Sequence, residues 1–440
     1  MPPKIQPRVP RGMRDILPQK MLLRQYVISQ VESVFQRFGF EPLQTPVLEL
    51  SETLMGKHGE EAEKLIYDAK HREGKEDLSL RYDLTVPLSR VVAMYPELPK
   101  PFKRYQIAPV FRAERPQKGR YREFYQCDVD IVGSKSMLAD AEVVTVVYTV
   151  LKTLGFKSFV TKINNRKILT GIGQYAGVPK ELLGGLYRPL DKLDKIGADG
   201  VREEMSKSQI PAPVIDKMMD LLTIPSGNFG EARERLGEVK IAMEGLDELE
   251  QLATFLADAN IPGTNYTFDF SMVRGLSYYT GPIYETVVVE PKIGSLSGGG
   301  RYDELLAQFG GQSLPMTGTS FGIERIIDVM DELAMYPANV GKTSTRVLVT
   351  VFNRDLVGVS IHIANELRGA GINTELGLEF DGLGKQLKYA AAKSIPFAVI
   401  IGPDENALRN ATLRNLETGE QNIVAQSDLG KIIADKLRLA

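Results

Sequence analysis

Two β-like runs, KRYQIAPVFRAE (103–114) and YREFYQCDVDIVG (121–133), stand on either side of the polar turn RPQKGR. Together they read as one long antiparallel hairpin. Strand alternation sets Arg112 and Glu114 on one face, with Phe111 and Ala113 on the other. On the return strand Phe124, Gln126, Asp128 and Asp130 share a face, and Tyr125, Cys127, Val129 and Ile131 share its opposite. A face carrying arginine, an amide, carboxylates and an aromatic ring is too polar for a core, so it either meets water or holds a ligand. The stretch Lys100–Arg122 also concentrates eight lysines and arginines against one acid, Glu114, in a chain whose net charge is −2. A charge run of this kind is ordinarily a solvated face. The ligand reading explains more. Arginines grip phosphate oxygens bidentately, a turn with one glycine and three cations can fold over a triphosphate or a nucleic-acid backbone, and carboxylates with an amide can hold an ammonium group.

The remaining sequence narrows the classes. A length of 440 residues suits about three domains. Balanced charge excludes a strongly basic nucleic-acid protein while leaving room for a local basic patch. The single cysteine, Cys127, excludes an internal disulfide framework and a cysteine-rich zinc site, and three histidines leave little for a histidine-ligated metal. No apolar run approaches membrane-spanning length, and the start MPPKIQPRVPRGMRD has no apolar leader core. A soluble, cytoplasmic protein is expected, with no membrane partner.

The segment 19–38 has helical periodicity and stops at Gly39, and GFEPLQTPVLEL behind it carries Pro42 and Pro46. Prolines suit a sheet edge, and an edge is either covered within one subunit or used between two. Residues 137–154 read as a helix, and 165–260 as a charge-rich helical module inserted between strand-forming segments. The alternation RVLVTVF, LVGVSIHIANELRGAG, GLGKQLKYAAAKS, FAVIIG describes a separate small α/β domain over 345–440. Two further clusters stand out. In MVRGLSYYTGPIYE, Arg274 precedes two tyrosines, an arrangement that suits a structural arginine with core rings as well as a ligand site. In SLSGGGRYDELL, glycines between a strand and a helix offer backbone N–H groups to an anion, or simply make a tight turn. No P-loop, GxGxxG, HExxH or CxxC is present. Gly318–Gly322 fits the GxSxG pattern of serine hydrolases, but His362, the only histidine downstream, falls in the separate domain.

These clusters, in this order, resemble the class II aminoacyl-tRNA synthetases, and within them the histidyl-tRNA synthetase family. GFEPLQTPVLE is similar to motif 1, FRAERPQKGRYREFYQCDVDIVG to motif 2, and GTSFGIERII, ending in Arg325, to motif 3. The family's own signals are RGLSYYTG, GGGRYDELL and LSLRYDLTVPLSR. Motif 3 also accounts for the GxSxG match. The resemblance implies an α+β fold: a catalytic core of antiparallel sheet flanked by helices (1–164 and 261–335), a helical insertion (165–260) and a C-terminal α/β anticodon-binding domain (345–440). It implies a homodimer that joins L-histidine to tRNA(His) through a histidyl-adenylate made from ATP, with Mg²⁺ bound alongside the phosphates rather than by protein ligands alone. The roles it implies are these. Asp83, Thr85 and Gln126 bind the α-amino group of histidine, Leu84 belongs to the same histidine-binding set, and Asp130 and Tyr279 read the imidazole with Tyr278 beside them. Arg112 holds the α-phosphate and the carboxylate region, while Glu114, Arg120, Arg122, Phe124 and Arg325 bind ATP. Arg274 is the catalytic cation, and Arg115 and Gln117 meet the tRNA acceptor end. Ser277 departs from the family's usual aspartate in RGLDYY. A non-catalytic relative, the regulatory subunit of ATP phosphoribosyltransferase, and a different synthetase of the same subclass are the competing readings. The arginine-rich loop, Arg325 and the C-terminal domain weigh against the first, and the RGLSYYTG–GGGRYDELL pair against the second.

Overall fold

The computed structural model describes residues 6–438 apart from 58–62, 118, 180–181, 191, 209, 274–277, 292, 339 and 381. The chain forms two compact units, one of residues 1–15 and 27–335, the other of 16–26 and 336–440.

The first unit carries, in chain order, β1 (Glu41–Pro42), β2 (Leu48–Leu50), β3 (Tyr67–Ala69), β4 (Leu78–Leu80), β5 (Phe102–Phe111), β6 (Glu123–Val132), β7 (Val160–Asn165), β8 (Tyr266–Phe268), β9 (Pro282–Val287), β10 (Ser295–Arg301) and β11 (Met316–Gly322). Among the described residues, eight of these form one sheet in the order β1-β5-β6-β11-β10-β9-β7-β8, while β2, β4 and β3 make a small sheet of their own. The large sheet is antiparallel except at its two margins, where β1 lies parallel to β5 and β8 parallel to β7. The proline-marked segment after the first helix thus does form an edge. The predicted hairpin is there as β5 and β6, paired from Phe102↔Val132 to Phe111↔Glu123. Its apolar alternates, Cys127, Val129 and Ile131, are buried. The Met137–Thr153 helix packs on β6, β9, β10 and β11.

The glycine cluster behaves differently from the expectation. Gly298, Gly299 and Gly300 are not a turn between strand and helix: they lie inside β10, paired to β9 on one side and β11 on the other. Glycine is ordinarily unfavourable within a strand. Here close approach requires it, since a Cβ on Gly299 would run into the backbone of Gly318 and Thr319 on β11. Helices, from Arg166–Ala176 to Lys240–Asp258, connect β7 to β8 among the described residues, in keeping with the charge-rich helical texture of 165–260, and they belong to the same compact unit as the sheet.

In the second unit, β12 (Val347–Val349), β13 (Thr374–Leu376), β14 (Phe397–Ile400), β15 (Asn410–Asn415) and β16 (Gln421–Ala425) form a sheet ordered β13-β12-β14-β15-β16. The first three strands are parallel and the last two close it antiparallel. Val347, Val349, Ile363, Leu367, Val399 and Leu413 share its core. The alternation read from sequence accounts for the parallel half. Among the described residues, no helix is long and apolar enough to cross a membrane.

Candidate functional site

The polar face of β6 opens onto two adjoining hollows. One is a recess of about 120 Å³ lined by Asp83, Thr85, Arg112, Gln126, Asp128, Asp130, Tyr278, Tyr279, Tyr302 and the glycines of β10 and β11. The other is a cleft of about 220 Å³ walled by Arg112, Glu114, Arg120, Tyr121, Phe124, Glu324 and Arg325. Arg112, Gln126, Gly298 and Ser320 belong to both, so the two hollows share a wall.

Sheet register builds the recess. Asp130 faces Gly318 on β11, which in turn faces Gly300 on β10. One rung along, Asp128 faces Ser320, which faces Gly298. Side chains that would fill the space are missing on successive strands, and what remains is a floor. A Cβ on Gly318 would overlap the Asp130 carboxylate, and one on Gly300 would press on the Tyr279 ring at 2.9 Å. Three tyrosines close the far side: the rings of Tyr278 and Tyr279 lie 5.1 Å apart edge to face, and those of Tyr278 and Tyr302 lie 5.7 Å apart. The Tyr302 hydroxyl donates to Asp130 Oδ1. Thr85, Tyr278 and Tyr279 form a chain of side-chain hydrogen bonds.

Beneath these acids lies a buried cation. Arg104, with no exposed surface, places Nη2 2.7 Å from Asp130 Oδ2 and donates to the Leu84 carbonyl at 3.2 Å. Burial penalises a carboxylate's charged form, and a neighbouring acid adds to the penalty. Asp128 is pushed up to about 7, chiefly by burial and further by Asp130, with the Arg104 charge opposing. Asp130 moves upward too, again mainly through burial. Burial likewise raises the phenols of Tyr278, Tyr279 and Tyr302, which stay neutral hydrogen-bonding groups. Among the described residues, Gln126 Oε1 and Asp128 Oδ1 are buried here without a hydrogen-bond partner. Native proteins rarely leave such atoms unsatisfied. Grouped around one small hollow, they mark a polar ligand's place.

The cleft is cationic and flat-sided. Arg112 donates through Nε to the Tyr82 carbonyl at 3.1 Å and lies between the Tyr82 and Phe124 rings, 4.3 and 5.1 Å from their centroids. Arg120 pairs with Glu114 at 3.0 Å. Arg325 is tethered to β10 by donating to the Ser295 carbonyl at 2.8 Å. The loop between β5 and β6 is held from outside by the amino-terminal segment. Arg122 N–H donates to the Gly12 carbonyl at 2.9 Å, and Arg14 stacks on Tyr121 at 3.6 Å and lies 3.6 Å from Glu324. Gly12 is required at that contact: its φ is +85° and a Cβ would collide with Pro116 and Arg122.

The structure therefore gathers the expected residues into two sets. Asp83, Thr85, Arg112, Gln126, Asp130, Tyr278 and Tyr279 line the recess, and Arg112, Glu114, Arg120, Phe124 and Arg325 line the cleft. Leu84 stands apart, fully buried in an apolar cluster with Ala108 and Val110. Arg122 stands apart too, its guanidinium donating to the carbonyls of Glu114 and Arg11. Arg115 and Gln117 are exposed on the loop. Arg274 and Ser277 fall outside the described residues. Sequence reasoning put Asp128 on the ligand-facing side of the strand without giving it a role, and passed over Tyr302, Ser320, Tyr121 and the Gly12–Arg14 clamp. Alternation along β6 was the available signal for Asp128, and GGGRYDELL for Tyr302. The clamp had none.

Comparison with known proteins identifies this arrangement. The family model described as histidyl-tRNA synthetase matches residues 12–326. The chain belongs to the histidyl-tRNA synthetase family. A second model, an anticodon-binding domain, matches residues 346–436. The chain is 42% identical over 437 residues to the histidine–tRNA ligase of Aeropyrum pernix, covering 97% of this chain and 98% of that one. To the enzyme of Gloeobacter violaceus it is 40% identical over 462 residues, with 97% and 98% covered. Among solved structures it is similar to histidyl-tRNA synthetase from Nostoc sp. PCC 7120, at TM-score 0.85 and 32% identity over 98% of this chain and all of that one (100%). It shares its fold with a Bacillus halodurans protein titled as an ATP phosphoribosyltransferase regulatory subunit/histidyl-tRNA synthetase, at TM-score 0.74, 23% identity, and 88% and 96% coverage.

The recess makes two checkable demands. Gly318→Ala is expected to displace the Asp130 carboxylate and abolish histidine binding measured by calorimetry, while the variant still folds by circular dichroism. Asp128 has a folded-state pKa above its unfolded value of about 4, so the native state binds the extra proton between roughly pH 4 and pH 7 and loses stability as pH rises through that window. Asp128→Asn is spared this loss. Its thermal unfolding without ligands is expected near the parent's at pH 4 and above it at pH 8, by up to about 4 kcal/mol.

Proposed function

We propose that the recess holds L-histidine, the cleft holds ATP, and the two react across the wall they share. The observation that carries this is Arg112, which faces both hollows from one guanidinium. An amino-acid carboxylate leaving the recess meets a phosphate entering the cleft at that residue. One carboxylate oxygen attacks the α-phosphorus of ATP, the bond to the bridging oxygen breaks, and histidyl-adenylate and pyrophosphate form. A hydroxyl of the terminal adenosine of tRNA(His) then takes the acyl group, and AMP leaves.

In this reading Asp83, Thr85 and Gln126 receive the α-ammonium group, and Asp130 and Tyr279 bond the imidazole nitrogens beside Tyr278. A pocket of buried polar groups rejects apolar isosteres, which would leave those groups unpaired. Phe124 stacks on adenine, and Glu114, Arg120 and Arg325 serve the base and the outer phosphates. Arg122 supports that set from the loop, and Leu84 supports the histidine set from the core. Glu114 and Glu324, the two carboxylates on the cleft, fit an Mg²⁺ that arrives with the nucleotide, since this ion takes one or two carboxylates together with phosphates and water. When bound it would neutralise charge on the phosphates. Arg274 carries the family's catalytic position and would stabilise charge developing at phosphorus, an effect felt in rate more than in binding. Exposed Arg115 and Gln117 would meet the acceptor end of the tRNA, and the 345–440 domain its anticodon. The edge at β1 suits a homodimer, and the enzyme is assigned to the cytoplasm, with 165–260 as an inserted module of the core.

ATP–pyrophosphate exchange with each of the twenty amino acids, without tRNA, tests the assignment. Histidine alone is expected to support exchange, and exchange with none, histidine binding intact, would transfer the chain to the non-catalytic reading. Arg274→Ala is expected to lower the exchange kcat by about a hundred- to a thousandfold with KM for ATP little changed.

A further inference from the structure

Asp128 shares its face of β6 with Gln126 and Asp130, yet the reaction as laid out above gives it no task. We propose that Asp128 is a positioning residue for amino-acid recognition: through Ser320 it fixes which end of the Gln126 amide faces the bound histidine. The inference rests on the reading that Gln126 takes the α-ammonium group.

Three contacts make the relay. Asp128 and Ser320 are direct cross-strand neighbours on the same face of β6 and β11, which sets the Ser320 hydroxyl beside the Asp128 carboxyl. Gln126 Nε2 donates to Ser320 Oγ at 3.0 Å. On the far side of Ser320 the β10 neighbour is Gly298, which has no side chain to compete for the hydroxyl. A hydroxyl has one hydrogen, and an ionised carboxylate only accepts. Ser320 therefore gives its hydrogen to Asp128 and turns a lone pair toward Gln126. That lone pair selects the NH₂ end of the amide. The carbonyl end, Oε1, is left directed at the recess, buried and without a partner among the described residues. An acceptor there matches an ammonium group, and the flipped amide would set donor against donor.

Asp128→Asn keeps the shape of the side chain and removes the polarity. The new amide can donate to Ser320, whose hydrogen is then free to turn to Gln126 and flip it. Ser320→Ala breaks the same relay at its middle link. The probes are L-histidine and 3-(imidazol-4-yl)propionate, the same molecule without its ammonium group, titrated by calorimetry at pH 8 with each variant confirmed folded by its melting curve. Both variants are expected to weaken histidine about ten- to a hundredfold, the range for a lost hydrogen bond to a charged group, and to leave the propionate's affinity close to the parent's. The double variant should lose no more than the larger single loss, since both act on one relay. Gln126→Glu, which presents acceptors at both ends, should restore histidine binding in the Asp128→Asn background.

Equal weakening of both probes would make Asp128 and Ser320 merely structural and overturn the proposal, as would unchanged histidine affinity in both variants. Gln126→Ala separates the two layers. If it leaves the preference for histidine over the propionate intact, the placement of Gln126 at the ammonium group fails, and the relay with it. If it abolishes that preference while Asp128→Asn and Ser320→Ala do not, the relay alone fails.

Discussion

A guanidinium shut off from water is costly in a protein unless an opposite charge or well-placed acceptors meet it. Arg104 occupies such a place, opposite Asp130 in the β5–β6 register and within the field of Asp128. The dependence runs both ways, because the two acids are themselves buried and are held there partly by that cation. The pairing also pins the hairpin. A slip of one residue would leave Arg104 on the opposite face of the sheet from Gln126, Asp128 and Asp130. Everything that faces the recess from β6, and the position of Arg112 just past the end of β5, follows from that register.

The hollow itself is made by omission. Elsewhere in the sheet, side chains from adjacent strands fill the space between layers at close-packed density. Along the rungs of Asp128 and Asp130 the neighbours on β10 and β11 are Gly298, Gly300, Gly318 and Ser320. Strand pairing supplies the backbone groups with partners, so the floor is both empty and hydrogen-bonded. Polar atoms meant for a ligand can then sit buried at its margin, at a cost that the ligand offsets when it binds.

The alternation of the hairpin was open to reading because its two faces differ in polarity, and a period of two is visible wherever they do. The helical insertion and the parallel half of the second unit were legible for the same reason, through their own periods. The glycine cluster misled, since SGGGR carries no alternation and glycine is a turn former by habit. Only the pairing partner on β11 reveals why the residues must be small. Arg104 illustrates the opposite difficulty. In a run of eight cations it is indistinguishable from its neighbours, although it alone of those described is wholly enclosed. Its acid lies 26 residues onward across the turn, and a contact of that kind is a property of register. Tyr302 and Ser320 were quoted within motifs, yet their roles come from what lies opposite them.

The clamp at the amino end reaches further than its size suggests. Arg11 and Gly12 offer carbonyls to Arg122, and Arg14 lies over Tyr121, on the wall of the cationic cleft. These partners are more than a hundred residues apart in the chain, with a separation of 111 between Arg11 and Arg122. A change at Arg11, Gly12 or Arg14 therefore acts on the shape of that cleft from outside it. The ends of a purified version of this protein belong among the variables of any kinetic comparison.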